Sequence, residues 1–254
     1  MSGFFVVVPY YDEERGILPT LEALAAQSDG DFTLVLVDNG STDGSAAVVE
    51  AFARRHPELA VRRIHEPQKG TGAAADTGFR DAIAQGARIV ARTDADCLPD
   101  RDWVRNLKRA FHDDGLEFVA GKIRPRTDEV PLTTMDRVVL PVMVWIAERY
   151  GWIHRRGRQF KYGYFMAAGN NLAITADLYL RAGGFPRTRI EDLHEDRALS
   201  ETVRTLTARA AVRRDVIVYN SVRRVRAYGY VNVLRWYRNH GYRPAVVDVR
   251  EIRR

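Results

Sequence analysis

Two carboxylates stand one residue apart in the stretch RTDADCLP, residues 92–99. Asp94 and Asp96 follow the mostly apolar run 87–91, which has the composition of a buried strand. Charged carboxylates at such a place are costly unless a cation pairs with them. Oxygen ligands without histidine or cysteine suit Mg²⁺ or Mn²⁺. The stretch therefore predicts a site for one of these ions. As an alternative, the two acids cap a helix over residues 99–111.

The size and composition of the chain limit the classes of protein to which it can belong. It has 254 residues, 46% of them hydrophobic, which suffices for one α/β domain with a full core. Its longest apolar stretch, 138–147, is shorter than a bilayer span and contains a proline, so no transmembrane segment is expected. A single cysteine excludes an intramolecular disulfide and a cysteine-rich zinc site. We expect a cytoplasmic protein.

Strand and helix patterns alternate over the first half of the chain. Runs of β-branched and aromatic residues predict strands, and apolar residues at helical spacing predict helices. The predicted strands are 4–8, 32–38, 61–65 and 87–93, and the predicted helices are 17–28, 41–56 and 71–86. This alternation predicts an α/β fold with a mostly parallel sheet and helices on both faces. Ligands bind beyond the carboxyl ends of such strands, where polar residues follow the first, second and fourth strands.

The pattern changes after about residue 125. An apolar, aromatic segment over 131–153 leads through basic residues into 162–175, and an acidic helix is predicted over 190–206. We interpret residues 126–254 as a smaller lobe that covers the first half within one domain.

Six motifs carry a resemblance to a known family. They are VVVPYYDEE (6–14), LVLVDNGSTDGS (34–45), KGTGAAADTGFRDA (69–82), RTDADCLPDRDWV (92–104), GGF (183–185) and HEDRALSETVR (194–204). In order and spacing, over residues 4–206, they resemble the family 2 glycosyltransferases of the GT-A fold. The resemblance implies an enzyme that moves a sugar from a nucleotide diphosphate to an acceptor. We expect non-processive transfer, because Arg235-Trp236 is the only part of the processive-synthase motif in the sequence and no transmembrane helix is expected. The resemblance also implies a nucleotide-sugar-binding half, residues 1–125, and an acceptor-side half, residues 126–254.

The resemblance gives the two carboxylates separate roles. It implies that Asp96 binds a divalent cation, Mn²⁺ or Mg²⁺, directly and that Asp94 reaches the ribose, or the metal through water. Such a cation neutralises negative charge on the departing diphosphate. Asp38 can accept a hydrogen bond from the imino N–H of uracil or guanine, and a UDP-sugar is the expected donor. His240 could complete the metal shell, with a structural role as the alternative.

Other predicted donor contacts follow the first strand and open the third helix. Tyr11 would pack against the base, and Pro9 would shape the first loop. Glu13 would contact the ribose or base, or else cap a helix. The backbone N–H groups from Lys69 to Gly72 would face the phosphates at a helix start. The predicted nucleotide-binding residues are Pro9, Tyr11, Glu13, Asp38, Lys69, Gly72 and Asp94.

An inverting transfer needs a carboxylate that takes the acceptor's proton. The resemblance favours Asp196 as this base, with Glu195 in reserve. Glu191 and Asp192 lie four residues before these two and would share their helical faces if the helix began early enough. We interpret Glu191 and Asp192 as acidic residues whose negative charge interacts favourably with the positive end of the helix dipole.

Two asparagines are candidates for the donor sugar. Asn170 and Asn171 follow a glycine in the stretch AAGNN. Their amides could bind sugar hydroxyls, and ordinary turn formation is the alternative.

The C-terminal segment is strongly basic. Residues 201–254 contain 13 arginines and four acidic residues, a net charge of +9. We expect the segment to cover the donor diphosphate or to recruit an anionic acceptor, with a solvated basic surface as the alternative. The acceptor could be a small molecule, a lipid-linked substrate or a substrate bound to a carrier protein. No nucleic-acid partner is expected.

Two other classes of protein compete with a glycosyltransferase. A sugar-phosphate nucleotidyltransferase has a similar α/β architecture and uses Mg²⁺, but it needs a glycine-rich basic loop near the first strand, which PYYDEERG lacks. A nucleic-acid-binding module without enzymatic activity would account for the basic C-terminal segment. It would, however, bring carboxylates next to phosphates.

Overall fold

The computed structural model describes residues 3–129, 131–154, 157–187 and 194–233. In these ranges the chain forms one sheet of eight strands with helices packed on both faces.

The first half alternates strands and helices as predicted. Its elements are β1 (Phe4–Tyr10), α1 (Ile17–Ala25), β2 (Thr33–Asp38), α2 (Ser45–Arg55), β3 (Ala60–His65), α3 (Thr71–Ala84) and β4 (Ile89–Arg92). All seven predicted elements are present, and their ends differ from the prediction by a few residues. The predicted α/β alternation of this half is confirmed.

The segment after β4 differs from the predicted helix over 99–111. Residues Cys97–Pro99 form a short strand, β5, and the helix α4 (Trp103–His112) begins only afterwards. Asp102 occupies the position before the helix and makes no side-chain capping bond. Asp94 and Asp96 are therefore separated from α4 by a strand, and the alternative that they cap this helix is wrong.

The second half is less regular. Its elements are β6 (Phe118–Pro125), α5 (Thr134–His154), β7 (Leu172–Thr175), α6 (Ala176–Arg181), α7 (Glu195–Leu206), β8 (Ala210–Asn220) and α8 (Arg223–Tyr228). The apolar segment predicted over 131–153 is the long helix α5. The acidic helix predicted over 190–206 begins at Glu195 in the part of the chain that the structure describes.

The strand order across the sheet is β3-β2-β1-β4-β7-β6-β8-β5. Three neighbouring pairs within the first four strands are parallel, namely β3 with β2, β2 with β1 and β1 with β4, and β6 is parallel to β8. The short strands β7 and β5 are antiparallel to their neighbours. The sheet is thus mostly parallel, as predicted, and it contains strands from both predicted halves. The division at residue 125 stays a prediction.

Alternate side chains of β1 enter two different cores. Phe4, Val6 and Val8 pack with α1, α2 and α4 on one face of the sheet. Phe5 and Val7 pack with α3, α6 and α7 on the other. Successive residues of a strand face opposite sides, so a strand that is apolar throughout must be covered twice. The two layers hold the carboxyl ends of β1, β2 and β4 at one fixed edge.

None of the helices in the four described ranges is long and apolar enough to cross a membrane. The longest of them, α5, carries charged residues and Pro141 among its apolar side chains.

Candidate active site

The carboxyl ends of β1, β2 and β3 bring polar and aromatic side chains together. In the parallel register Tyr10 lies opposite Asp38, and Asp38 lies opposite His65. Asp38 Oδ1 accepts a hydrogen bond from the backbone N–H of Ser41 at 2.8 Å, and its Oδ2 lies 3.8 Å from His65 Nδ1. The Asp38 carboxylate therefore lies at the edge where ligands bind in such sheets. Its contact with a nucleobase stays a prediction.

Lys69 and Tyr11 lie together at the same edge. The Lys69 Nζ atom is 3.8 Å from the centroid of the Tyr11 ring, a cation–π contact. The same atom donates to the carbonyl oxygens of Asn39 and Gly40 at 3.0 and 2.8 Å. Asn39 Oδ1 in turn accepts from the backbone N–H of Gly70 at 2.9 Å. These bonds join the loop after β2 to the start of α3.

Two predicted donor contacts are buried. Pro9 lies inside β1, opposite Val37, so the expectation that it shapes the first loop is wrong. Gly72 lies at the start of α3, where an added Cβ would be 2.2 Å from the carbonyl oxygen of Pro186 and 3.2 Å from Glu195 Cβ. The missing side chain at Gly72 is therefore needed for packing against the protein's own chain. Contact of Gly72 with a phosphate stays a prediction.

Asp94 and Asp96 project from the loop between β4 and β5. Their side chains are 34% and 31% exposed. Asp94 Oδ1 lies 3.1 Å from Arg92 Nη2, and Asp96 Oδ2 lies 3.5 Å from Arg223 Nη2. Burial raises the pKa of Asp94, and Arg92 opposes that shift. The cations that accompany these carboxylates in the structure are therefore two arginines.

Arg92 ends β4 and connects the two carboxylate pairs. Its guanidinium is 1% exposed and lies 3.1 Å from both Asp94 Oδ1 and Glu195 Oε1. An added Cβ at Gly169 would lie 3.0 Å from the Arg92 Cζ atom, so the backbone passes directly over the guanidinium. Burial alone would lower the pKa of Arg92, but the carboxylates beside it raise the pKa overall. Arg92 thus fixes the start of α7 against the end of β4.

Replacing Arg92 by Gln should destabilise the fold strongly. The change leaves Glu195, which is 4% exposed, as a buried carboxylate without its guanidinium partner. Breaking a buried ion pair from one side costs about 3–5 kcal/mol, so the free energy of unfolding in urea should fall by that amount. Arg54→Gln is the matched control, because Arg54 and Glu50 form a pair that is 66% and 53% exposed. It should cost less than about 1 kcal/mol. Equal losses in the two variants would contradict the role assigned to Arg92.

Arg223 lies among three carboxylates, those of Asp96, Glu13 and Glu129. Its Nη2 lies 3.0 Å from Glu13 Oε2, and its Nε lies 4.0 Å from Glu129 Oε1. Glu13 is 4% exposed and its backbone N–H donates to Ser45 Oγ at 2.8 Å. The Glu13 carboxylate therefore lies with Arg223 beside Asp96. Its predicted contact with a ribose or base stays a prediction.

The start of α7 presents two carboxylates in different settings. Asp196 Oδ2 accepts from the backbone N–H of Gly169 at 2.9 Å, and its Oδ1 accepts from that of Arg197 at 2.6 Å. Burial raises the pKa of Asp196 and of Glu195. Glu195 is bound to the Arg92 guanidinium, whereas Asp196 is partly exposed. A base must be accessible and able to take a proton, so this geometry favours Asp196 over Glu195.

The two asparagines have different surroundings. Asn171 is fully buried: its Oδ1 accepts from Trp103 Nε1 at 2.9 Å, and its Nδ2 donates to the carbonyl oxygens of Lys122 and Val216 at 3.0 and 3.1 Å. Its amide is occupied by the core, so the prediction that Asn171 binds the donor sugar is wrong. Asn170 is 8% exposed, and its Oδ1 has no hydrogen-bond partner within the described residues. Asn170 stays a predicted donor-sugar contact.

Asn170 also lies next to the loop that carries Asp96. Its Nδ2 lies 3.5 Å from the sulfur of Cys97, the residue after Asp96. Cys97 is fully buried, and burial raises the pKa of its thiol well above the usual range. A protonated buried thiol is a poor nucleophile. Cys97 is therefore a packed side chain beneath the site.

Sequence reasoning missed the arginines of this site. Arg92 and Arg223 are described above, and Arg126, 2% exposed, donates from Nη1 to the carbonyl oxygen of Asp96 at 2.9 Å. A charged residue at the end of an apolar strand was a local signal for Arg92. Arg223 had none, because its partners Glu13 and Asp96 lie 210 and 127 residues away along the chain.

Some sequence predictions lie outside the described residues. They concern Glu191, Asp192, His240 and the end of the basic segment, residues 234–254.

The donor set suits a cation that also binds phosphate. Within the described ranges, no group of three or more histidine, cysteine, aspartate or glutamate side chains could hold a metal by itself. Asp94 and Asp96 offer partly exposed carboxylate oxygens, and the Arg223 guanidinium already lies 3.5 Å from Asp96. Mg²⁺ and similar ions commonly use one or two carboxylates, with waters and substrate phosphates as the other ligands. The residues present fit such an ion.

Comparison with known proteins identifies the family. The model described as "Glycosyl transferase family 2" matches residues 5–179, well over half of the chain. The chain belongs to glycosyltransferase family 2. This membership favours the transferase interpretation over the nucleotidyltransferase and the nucleic-acid-binding module.

The curated relatives of this family 2 chain are longer than it is. Glycosyltransferase AglE of Haloferax volcanii is 30% identical over 120 residues, which cover 46% of this chain and 38% of AglE. The undecaprenyl-phosphate 4-deoxy-4-formamido-L-arabinose transferase of Proteus mirabilis is 29% identical over 137 residues, covering 53% and 41%. The matches thus span about two-fifths of these relatives.

Two solved structures share the fold of this family 2 chain. The mannosyltransferase PcManGT from Pyrobaculum calidifontis, in complex with GDP-Man and Mn²⁺, has a TM-score of 0.68 and 27% identity over 93% of this chain and 62% of its own. TarS of S. aureus has a TM-score of 0.63 and 17% identity over 92% and 39%. The GT-A-type fold implied by the resemblance is confirmed.

Proposed function

We propose that the protein transfers a sugar from a nucleoside diphosphate donor to an acceptor hydroxyl or amine, with inversion and without processive chain growth. One observation carries the proposal. Asp94, from the end of β4, and Glu195 and Asp196, from the start of α7, lie around the buried guanidinium of Arg92, and Asp96 lies close enough to Asp94 for its charge to raise the pKa of Asp94. Donor-side and acceptor-side carboxylates thus share one site at the sheet edge.

The donor would lie along the carboxyl ends of the strands. Its base would meet Tyr11 and Asp38, and its diphosphate would extend toward Asp94 and Asp96. Asp38 would accept the imino N–H that uracil and guanine share. The mannosyltransferase neighbour contains GDP-Man, so guanine is a candidate beside the uracil expected from the sequence. Asn170, whose Oδ1 is buried without a partner in the described residues, would donate or accept at a sugar hydroxyl.

Asp96 would hold a divalent cation, Mn²⁺ or Mg²⁺, with Asp94 beside it. When bound, this ion would neutralise the negative charge that develops on the leaving diphosphate. The presence of Mn²⁺ in the PcManGT complex supports this part of the proposal. Arg223 lies 3.5 Å from Asp96 and 3.0 Å from Glu13, so Glu13 would still pair with Arg223 if an ion took the place of Arg223 at Asp96.

Asp196 would take the proton of the acceptor as its oxygen or nitrogen attacks the anomeric carbon. The carboxylate is oriented by the N–H groups of Gly169 and Arg197. Two such bonds fix the direction of its remaining lone pairs before the acceptor arrives. The new glycosidic bond forms on the face of the sugar opposite the departing nucleotide, which gives inversion. Relatives named for undecaprenyl phosphate make a lipid-linked acceptor one candidate, beside small molecules and carrier-bound substrates.

A panel of nucleotide sugars tests the donor side directly. The melting temperature should rise with one or a few UDP- or GDP-sugars, and the rise should be larger with Mn²⁺, because a ligand that binds only the folded state stabilises it by mass action. The sugar-1-phosphate with a nucleoside triphosphate is the control for a nucleotidyltransferase. A shift with that pair alone, or with no nucleotide sugar at all, would refute the proposal.

A further inference from the structure

A pocket of about 420 Å³ lies among residues of β6, β8, α5 and the segment before β7. Of the described residues that line this pocket, three are cationic, namely Lys122, Arg149 and Arg214, and none is acidic. Lys122 comes from β6, Arg214 from β8 and Arg149 from α5. Positive charges that line one pocket attract an anion into it. The pocket therefore suits a ligand with a negative charge.

The rest of the pocket wall is aromatic and aliphatic. Trp145 is 63% exposed, and Tyr164 and Phe165 line the same pocket. The Phe165 ring is held in place by Phe118, with the two ring centroids 5.5 Å apart. A sugar ring has an apolar face of C–H groups that can pack on an aromatic side chain. Cations and aromatic surfaces in one pocket thus favour a ligand that is both a sugar and an anion.

Two contacts connect the pocket with the proposed site. Met166, which lines the pocket, precedes Gly169 by three residues, and the backbone N–H of Gly169 donates to Asp196. Three residues span at most about 11 Å, which is about the length of a disaccharide. In addition, the carbonyl oxygen of Lys122 accepts a hydrogen bond from Asn171 Nδ2 at 3.0 Å, and Asn171 directly follows the predicted donor-sugar contact. The pocket is therefore about one or two sugar units away from the proposed base.

We propose that this pocket binds the acceptor, and that the acceptor is a saccharide with a phosphate or carboxylate group within one or two sugar units of the hydroxyl that receives the sugar. This inference rests on the proposed function, because it names the acceptor of the same transfer. A neutral saccharide would displace water from the three cations without compensating their charge. Inorganic phosphate would compensate the charge but leave the aromatic wall unused.

The charged group of this acceptor binds and does not react. The hydroxyl oxygen forms a bond to the anomeric carbon of the donor sugar as the bond from that carbon to the diphosphate oxygen breaks. The electron pair of the broken bond leaves with the nucleoside diphosphate, and the hydroxyl proton passes to Asp196. The phosphate or carboxylate keeps its charge throughout, so the pocket can hold both acceptor and product.

Two pairs of variants separate the charge of the pocket from its aromatic wall. Arg214→Gln removes a cation, and Arg124→Gln is its control, because Arg124 is an exposed arginine of β6 that is not among the described lining residues. Trp145→Ala removes an aromatic ring, and Met135→Ala is its control, because Met135 lies on the same helix and is also 63% exposed but does not line the described pocket. None of these four side chains belongs to the proposed donor site or base.

Titration calorimetry that compares neutral and charged forms of the same hexose is the test. The probes are glucose, galactose and mannose, their hexose-6-phosphates and their uronic acids, each added to protein saturated with Mn²⁺ and with UDP or GDP, whichever it binds. We expect one charged form to bind at least about tenfold more tightly than its neutral parent, because charge-assisted hydrogen bonds are about twice as strong as neutral ones.

The variants should divide this preference into its parts. Arg214→Gln should lower the ratio of charged to neutral affinity at least about threefold and leave the affinity for the neutral hexose unchanged. Trp145→Ala should weaken both forms alike, because both use the aromatic wall. The two controls should stay within about twofold of the unmodified protein. Preference for the phosphates or for the uronic acids then identifies the charged group, and either result supports the inference.

Several results would overturn the inference. They are equal affinity for charged and neutral forms, no binding of any charged hexose, equal losses in Arg214→Gln and Arg124→Gln, and inorganic phosphate that binds as tightly as a hexose-6-phosphate. Nucleotide-sugar binding with Mn²⁺ is measured on the same samples. If that binding is intact while the charged hexoses fail, only the acceptor is wrong; if it is absent, the proposed function itself fails.

Discussion

Asp96→Asn is expected to abolish sugar transfer and to remove the effect of Mn²⁺ on nucleotide binding. The neutral amide lacks the charge that would hold a divalent cation, and without that cation the departing diphosphate would carry its full negative charge. The fold should survive, because the Asp96 side chain is 31% exposed. Titration of the nucleotide diphosphate with and without Mn²⁺, alongside a transfer assay, measures both effects.

Two further variants serve as comparisons for Asp96→Asn. Asp94→Asn should weaken nucleotide binding more mildly, since Asp94 is expected to act on the ribose or through water. Asp113→Asn, at an aspartate 66% exposed on the far end of α4, should change neither property. Full turnover in Asp96→Asn, or undiminished turnover in excess chelator, would rule out the proposed metal role.

Asp196→Asn should lower the rate of transfer by about 10²-fold or more while the affinity for the donor changes little. An amide cannot take the acceptor's proton, and general-base assistance is worth about 10²–10⁴-fold. Because burial raises the pKa of Asp196, the carboxylate takes up a proton at a higher pH than an ordinary aspartate. The rate of the unmodified enzyme should therefore fall as the pH drops through that raised pKa, and Asp196→Asn should lose this dependence.

Glu195→Gln distinguishes the two carboxylates of α7. Because Glu195 is buried against Arg92, its substitution should lower stability more than it lowers the rate per folded molecule. Single-turnover rates, corrected for the folded fraction, separate these effects. If Glu195→Gln transfers slowly and Asp196→Asn transfers at the normal rate, Glu195 is the base instead of Asp196. Normal rates in both variants would leave the inverting mechanism without support.

The sequence predicted those helices and strands whose apolar pattern or end residues lie within a short stretch of the chain. Strand β1 is apolar at every position because it faces two cores, and α3 and α7 carry their glycines and acids where helices begin. The short antiparallel strands did not follow from the sequence. Cys97–Pro99 and Leu172–Thr175 have only three and four residues, too few to show a period, and they are strands because β8, β4 and β6 offer them hydrogen bonds.

The same limit applies to the site. The spacing of Asp94 and Asp96 is visible in the sequence, but their neutralisation by Arg92 and Arg223 depends on tertiary contacts. Asn170 and Asn171 are adjacent and chemically identical, so sequence reasoning assigned both of them the same role. The structure separates them, because the Asn171 side chain reaches Trp103, 68 residues away, and Asn170 does not. Residues that act through distant partners require the fold before their roles can be assigned.

The anomeric configuration of the released sugar tests the central claim most directly. The protein is incubated with the nucleotide sugar that it binds, Mn²⁺ and no added acceptor, so that water attacks in the acceptor's place, and the first sugar released is observed by proton NMR before it mutarotates. If the transfer is inverting, a donor with an α-linked sugar should release the β-anomer first, and Asp196→Asn should slow this release. Initial release of the α-anomer would mean retention of configuration and would contradict an inverting transfer with Asp196 as its base.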